Sequence, residues 1–320
     1  MQSQVRRVSG IDGVSLHLST WSPDDPTQAV GVVQLLHGQG EYSGRYTHVA
    51  EHLTERGFIV YANDHRGHGL TVFDPAEDAP EEHRIPGHMS DHDGWRKCLA
   101  DCGLIRGLIQ REQPELPFFL IGHSLGSFMV QDLLIEDSTR WDAAILLGSA
   151  GGPLTLQQRM LEIVVRLQYL VKGKRGPATW TDKVIMEAFA KQVGIKEYRS
   201  EWLTTDPEMV LAAHHDPMMN FAASAQHWMD LAAAIKARAV PANIAKVRAD
   251  IPLWIASGQD DPIGQNGEAV EALVKAYQTA GLTDVTLRLF DGMRHEMHNE
   301  RERDAFLAEM SGWMLTKMAA

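Results

Sequence analysis

Cysteine is nearly absent from this chain. Its 320 residues include only Cys98 and Cys102, four apart in a stretch with helical patterning. That is too sparse for a disulfide framework or a thiolate metal site, and it points to a reducing, cytoplasmic setting. Basic charge is also short: 30 Lys and Arg against 42 Asp and Glu leave a formal net charge of −12. Nucleic acids and strong adhesion to anionic membranes select for basic patches, so neither is an expected partner. Long apolar runs are missing too. The opening MQSQVRRVSGIDGVSLHL has no apolar export-signal core, and nowhere do about eighteen apolar residues run together. No internal repeat or low-complexity tract is present. What remains is a chain that is 44% hydrophobic and 22% charged, enough to bury a sizeable core and carry an insertion.

Short β-type runs alternate with longer helical patterns: GVVQLL (31–36), FIVYA (58–62), FFLIG (118–122), AAILLG (143–148), IPLWIAS (251–257) and VTLRLF (285–290). Such alternation predicts an α/β fold, a mainly parallel sheet covered by helices. Ahead of them, VRRVSG and VSLHLSTW flank Ile11-Asp12-Gly13 and read as an antiparallel hairpin, which brings the sheet to about eight strands. Between 151 and 246 strand signals stop and helix formers take over. The predicted organisation is therefore a core of 1–150 and 247–320, interrupted by a helical cap over 151–246.

Gly122-His123-Ser124-Leu125-Gly126 follows the buried run FFLIG and precedes the helical SFMVQDLLIED, the strand–turn–helix context of a nucleophile elbow. A serine hydroxyl needs a base to take its proton, and the elbow order calls for an acid and then a histidine after later strands. Gly258-Gln259-Asp260-Asp261-Pro262 follows IPLWIAS, and Asp291-Gly292-Met293-Arg294-His295 follows VTLRLF. Both sit past carboxyl ends of strands, where open α/β sheets place their sites. The expected set is Ser124, His295 and Asp261, with Asp260 as the competing acid. Two N–H donors are required for an oxyanion. Leu125 offers one and Gln39, in His37-Gly38-Gln39-Gly40, the other; only the Gln39 backbone is needed, leaving its side chain free to vary. This chemistry calls for no metal and no cofactor.

Taken together, HGQGEYSGRY, NDHRGHG, GHSLG, GQDDPIG and GMRHEMHNE resemble the monoacylglycerol lipase and lysophospholipase branch of the α/β hydrolases, of the serine aminopeptidase S33 type. The likeness covers almost all of the chain outside the insertion. It implies an α/β-hydrolase fold, a Ser124–Asp261–His295 triad and an oxyanion hole at Gln39 and Leu125. The insertion is placed like that family's cap, and EWLTTDP…HHDPMMNF is similar to the second half of bacterial caps. Tyr42 departs from the histidine that animal lipases tend to carry, so the leaving group stays open. The implied activity is hydrolysis of a single-chain lipid ester, a small-molecule partner met with at most transient membrane-surface contact through the cap. A short-chain carboxylesterase, a peptidase or amidase of the same fold, and a non-catalytic receptor are the competing readings.

Several further residues invite a role. Glu41 and Arg45, four apart, suit an ion pair or a polar alcohol group of the substrate. Met218 and Met219 belong to six methionines of the insertion (Met160, Met186, Met209, Met218, Met219, Met229), flexible side chains suited to an adaptable acyl pocket. His48-Val49-Ala50-Glu51-His52 has the form of a zinc motif but would leave the serine set unexplained. Asp64 to Gly69 is expected to shape a turn beside the site.

Overall fold

The computed structural model describes residues 1–152 and 156–318. Residues 153–155, near the start of the predicted cap, lie outside them. Eight strands form one sheet: β1 (Gln2–Ser9), β2 (Ser15–Ser22), β3 (Gly31–Leu36), β4 (Phe58–Asn63), β5 (Phe118–His123), β6 (Ala143–Leu147), β7 (Leu253–Gly258) and β8 (Val285–Phe290). Their spatial order is β1-β2-β4-β3-β5-β6-β7-β8. The hairpin β1–β2 pairs antiparallel, with Val8 opposite Leu16, and every pair from β4 to β8 is parallel. Between strands run α1 (Thr47–Thr54), the short α2 (Gly69–Phe73), α3 (Gly94–Glu112) and α4 (Leu125–Asp137). An all-helical stretch follows, α5 (Leu156–Lys172), α6 (Thr179–Val193), α7 (Pro207–His215), α8 (Ala225–Arg238) and the short α9 (Pro241–Ile244), and then α10 (Glu268–Thr279) and α11 (Arg303–Met318).

Every residue of β3, β4, β5, β6 and β7 is buried, because helices cover both faces of the sheet. That is why these segments read as continuous apolar runs rather than alternating ones. Period-two geometry still sorts their side chains. Val32, Leu36 and Leu120 join one core with Leu99 of α3, Met129 of α4 and Val270 of α10. Val33, Leu35, Phe119 and Ile121 join another with Leu53 of α1 and Phe306 and Met310 of α11. At the edge, β1 is mostly exposed, and its Arg6 and Arg7 pair with Glu112 and Asp74. Charged edges of this kind discourage pairing with another sheet. No helix among the described residues is long and apolar enough to cross a membrane.

Candidate active site

Ser124 sits between β5 and α4 with φ 52° and ψ −117°, a left-handed conformation that side-chain-bearing residues avoid and that costs on the order of 1–3 kcal/mol. The turn is over-determined from both sides. A Cβ on Gly126 would lie 2.1 Å from the Leu36 carbonyl oxygen, and one on Gly122 would lie 2.4 Å from the Gly126 carbonyl oxygen, so only glycine lets helix, turn and strand close together. The Ser124 N–H donates to the Leu147 carbonyl of β6 at 2.9 Å, tying the turn to the neighbouring strand.

His295 and Asp261 meet just past the carboxyl ends of β8 and β7. Nδ1 of His295 lies 2.9 Å from Asp261 Oδ2, and both residues are buried, at 1% and 0% exposure. Asp261 Oδ2 also accepts from Ser257 Oγ, and Oδ1 accepts from the Ile263 N–H, each at 2.9 Å. Burial alone would raise the Asp261 carboxyl; the facing imidazole and these donors outweigh it and hold its pKa below the ordinary range. Nε2 of His295 is buried without a protein partner among the described residues. The ring packs against Gly148, just past β6, where a Cβ would stand 2.8 Å from Cε1. The imidazole thus lies over the strand adjoining the one that ends at Ser124. Asp260 is exposed and is not brought to the histidine.

The loop after β3 carries Gln39, whose N–H donates to no protein acceptor among the described residues, and Leu125 opens α4, where the first N–H groups have no intrahelical partner. The Gln39 side chain is engaged as well: Oε1 takes a hydrogen bond of 2.7 Å from His227 Nε2 in α8. Glu41 and Arg45 form the ion pair that their spacing suggested, at 2.8 Å, and the Glu41 carboxylate is occupied by protein donors. It is 2% exposed, and its oxygens accept from the Gly38 N–H, Tyr46 Oη, Arg45 and His123. Arg45 in turn makes two bonds to Glu296, at 2.5 and 2.7 Å. Met218 and Met219 are half-buried in the segment after α7; the Met219 carbonyl lies 3.6 Å from where a Cβ on Gly40 would be. His48 and His52 spend their Nε2 atoms on the His298 carbonyl and Ser311 Oγ. Asp64 accepts from the Ser43 and Leu70 N–H groups and so shapes its turn.

Residues 27–302 match the sequence profile of the family described as serine aminopeptidase, S33. The chain belongs to that family. It is a hydrolase of the α/β-hydrolase fold, in the branch that includes monoacylglycerol lipases. A monoacylglycerol lipase of Mycolicibacterium smegmatis is 27% identical over 97% of this chain and 96% of the relative. Phospholipase YtpA of Bacillus subtilis is 23% identical over 89% and 94%. Among solved structures, a thermostable carboxyl esterase from Bacillus coagulans, in complex with glycerol, superposes with a TM-score of 0.84 at 25% identity, covering 99% of both chains.

Several contacts of this S33 hydrolase that bear on the site have no signature in the sequence. His123, inside the elbow motif, lies 2.9 Å from Glu41 Oε1 through Nδ1 and 3.2 Å from the His295 carbonyl oxygen through Nε2. Burial would depress its pKa, but the Glu41 carboxylate overrides that and raises it, favouring an imidazolium that donates both ways. Glu41 is correspondingly held well below the carboxylate range: burial opposes ionisation and is overcome by His123 and Arg45. Trp202 stacks on His295, with ring centroids 4.7 Å apart. Its segment is stitched to the histidine loop: the Glu296 N–H donates to the Leu203 carbonyl at 2.7 Å, the Thr205 N–H to Glu300 at 3.0 Å, and Arg294 to the Glu201 carbonyl. These pairs span about ninety residues or more, and no local spacing signals them; only the positions of His123 and Glu296 beside Ser124 and His295 could have drawn notice.

Proposed function

We propose that the chain hydrolyses carboxylic esters of single-chain lipids, a monoacylglycerol or a lysophospholipid, with Ser124 as nucleophile, His295 as general base and Asp261 as the group that orients it. Ser124 Oγ attacks the ester carbonyl while its proton passes to His295 Nε2, and the oxyanion is held by the Gln39 and Leu125 N–H groups. The imidazolium then protonates the leaving alcohol, and water, deprotonated by the same nitrogen, releases the acid from the acyl-enzyme. The observation that carries this reading is a buried histidine with Nδ1 committed to a carboxylate and Nε2 left unpartnered over the strand next to the elbow.

The lipid half rests on other features. Residues 151–246 act as the cap in this reading. Its helix α5 presents Ile163, Leu167, Leu170 and Val171 at 51, 53, 78 and 70% exposure, an apolar face suited to transient contact with a lipid surface. The lipases and the phospholipase among the relatives carry names of that substrate class. The likeness to a carboxyl esterase favours a second reading, a short-chain esterase. Chain length separates the two: each buried methylene is worth roughly 0.8 kcal/mol, nearly fourfold in affinity. The kcat/KM for p-nitrophenyl esters is expected to climb from acetyl through octanoyl, with monoacylglycerols and lysophospholipids turned over. A maximum at acetyl or propionyl would replace the lipid reading by the short-chain one.

A further inference from the structure

The oxyanion loop is held from two sides. From the core, the Gly38 N–H donates to Glu41 at 2.5 Å, and His37 Nδ1 lies 2.7 Å from the Gly38 carbonyl oxygen. The next two residues, Gln39 and Gly40, take no hydrogen bond from that side among the described residues. Gly40 has a left-handed φ of 70° and faces the Met219 carbonyl, while the Gln39 side chain meets His227. We infer that His227 is a positioning residue for the reaction: by holding the Gln39 side chain from the inserted helix α8, it fixes where the Gln39 N–H points. The inference rests on the function proposed above.

Three observations support it. His227 is buried and its pKa is pushed down to about 3, chiefly by burial, so the ring stays neutral with one N–H. Nδ1 has no partner among the described residues, which assigns that N–H to Nε2, facing an amide oxygen. The helix that carries it is itself braced on the body of the molecule. Asp230 accepts from the Gly94 N–H at 3.0 Å, and Arg238 donates to Asp132 at 2.8 and 3.1 Å. A second tie runs beside it, from Tyr42 Oη to Asp216 at 2.8 Å. Glutamine at position 39 is thus used for its reach, although only its backbone would meet the substrate.

The test combines H227A, H227Q, Q39A and the H227A/Q39A double variant. It measures kcat and KM for p-nitrophenyl acetate, the rate of fluorophosphonate labelling at Ser124 and the thermal midpoint. Losing an oxyanion donor outright typically lowers kcat by about 100- to 1,000-fold, so a donor left present but loosened is expected to lose roughly 10- to 100-fold. H227A and Q39A should each show that loss in kcat and in labelling, with KM within about twofold, and the double variant should be no worse than either. H227Q, which keeps a donor, should recover part of the rate. Wild-type kcat in H227A, losses that multiply in the double variant, or rates that track the thermal midpoint without recovery in H227Q would each overturn the clamp. A wild-type protein that fluorophosphonate leaves unlabelled would instead overturn the proposed function and the clamp with it.

Discussion

Asp260 and Asp261 are adjacent in the chain yet stand in opposite surroundings, one exposed and the other sealed against His295 and two further donors, Ser257 Oγ and the Ile263 N–H. Asp261→Asn removes the acceptor that sets the imidazole tautomer, so kcat is expected to fall by about four orders of magnitude, whereas Asp260→Asn should keep most activity. Steady-state kinetics on a short ester decides, and the reverse ranking would move the acid by one position. Ser124→Ala and His295→Ala are expected to lose activity on the order of a million-fold each, with the double variant little worse, because the groups act as a unit. Losses that multiplied would mean that the two residues serve separate steps.

At the level of elements, the insertion combines an exposed apolar face on α5 with half-buried methionines near the oxyanion loop. Leu170→Glu with Val171→Glu is expected to weaken sedimentation with phosphatidylcholine vesicles while leaving hydrolysis of dissolved p-nitrophenyl acetate near wild type. Equal vesicle binding would assign lipid contact elsewhere. Met218→Gln with Met219→Gln should flatten the rise of kcat/KM with chain length more than it slows acetyl hydrolysis. The strands were legible in sequence because burial on both faces writes them as unbroken apolar runs, and the elbow was legible because its glycines answer a steric demand within five residues. Trp202 against His295 and His227 against Gln39 were not legible. Each contact joins the insertion to a distant loop, and a tryptophan or histidine in a helical stretch has no local mark that separates such a contact from ordinary packing.

For the molecule as a whole, buried histidines are expected to shape how stability depends on pH. His65, His68, His227 and His298 all have pKa values lowered mainly by burial, to about 3 for His68 and His227. As pH falls below the ordinary 6.5, the unfolded chain takes up protons that these rings refuse, and each costs up to about 1.4 kcal/mol per pH unit until its folded value is reached. His123 has the opposite sign. Its folded pKa is raised above 6.5, so its contribution is complete below that value and lost as pH rises through the higher one. The thermal midpoint is therefore expected to drop steeply on the acid side and gently just above 6.5, before the buried thiols and phenols begin to ionise in the unfolded chain, and His123→Asn should remove much of that gentle slope; an unchanged slope would detach it from the Glu41 pair. The stitches from 201–205 to the histidine loop, with the ties of α8 to α3 and α4, also divide the insertion mechanically. Its rear half is bolted to the base, while α5 packs on α8 and α6, α6 packs on the 199–202 turn, and the loop between them reaches the body through partly exposed ion pairs of Lys174 and Arg175 with Asp91 and Glu81. Amides of α5 and α6 are therefore expected to exchange with deuterium before those of α7 and α8, and equal protection would mean that the whole helical stretch moves as one body.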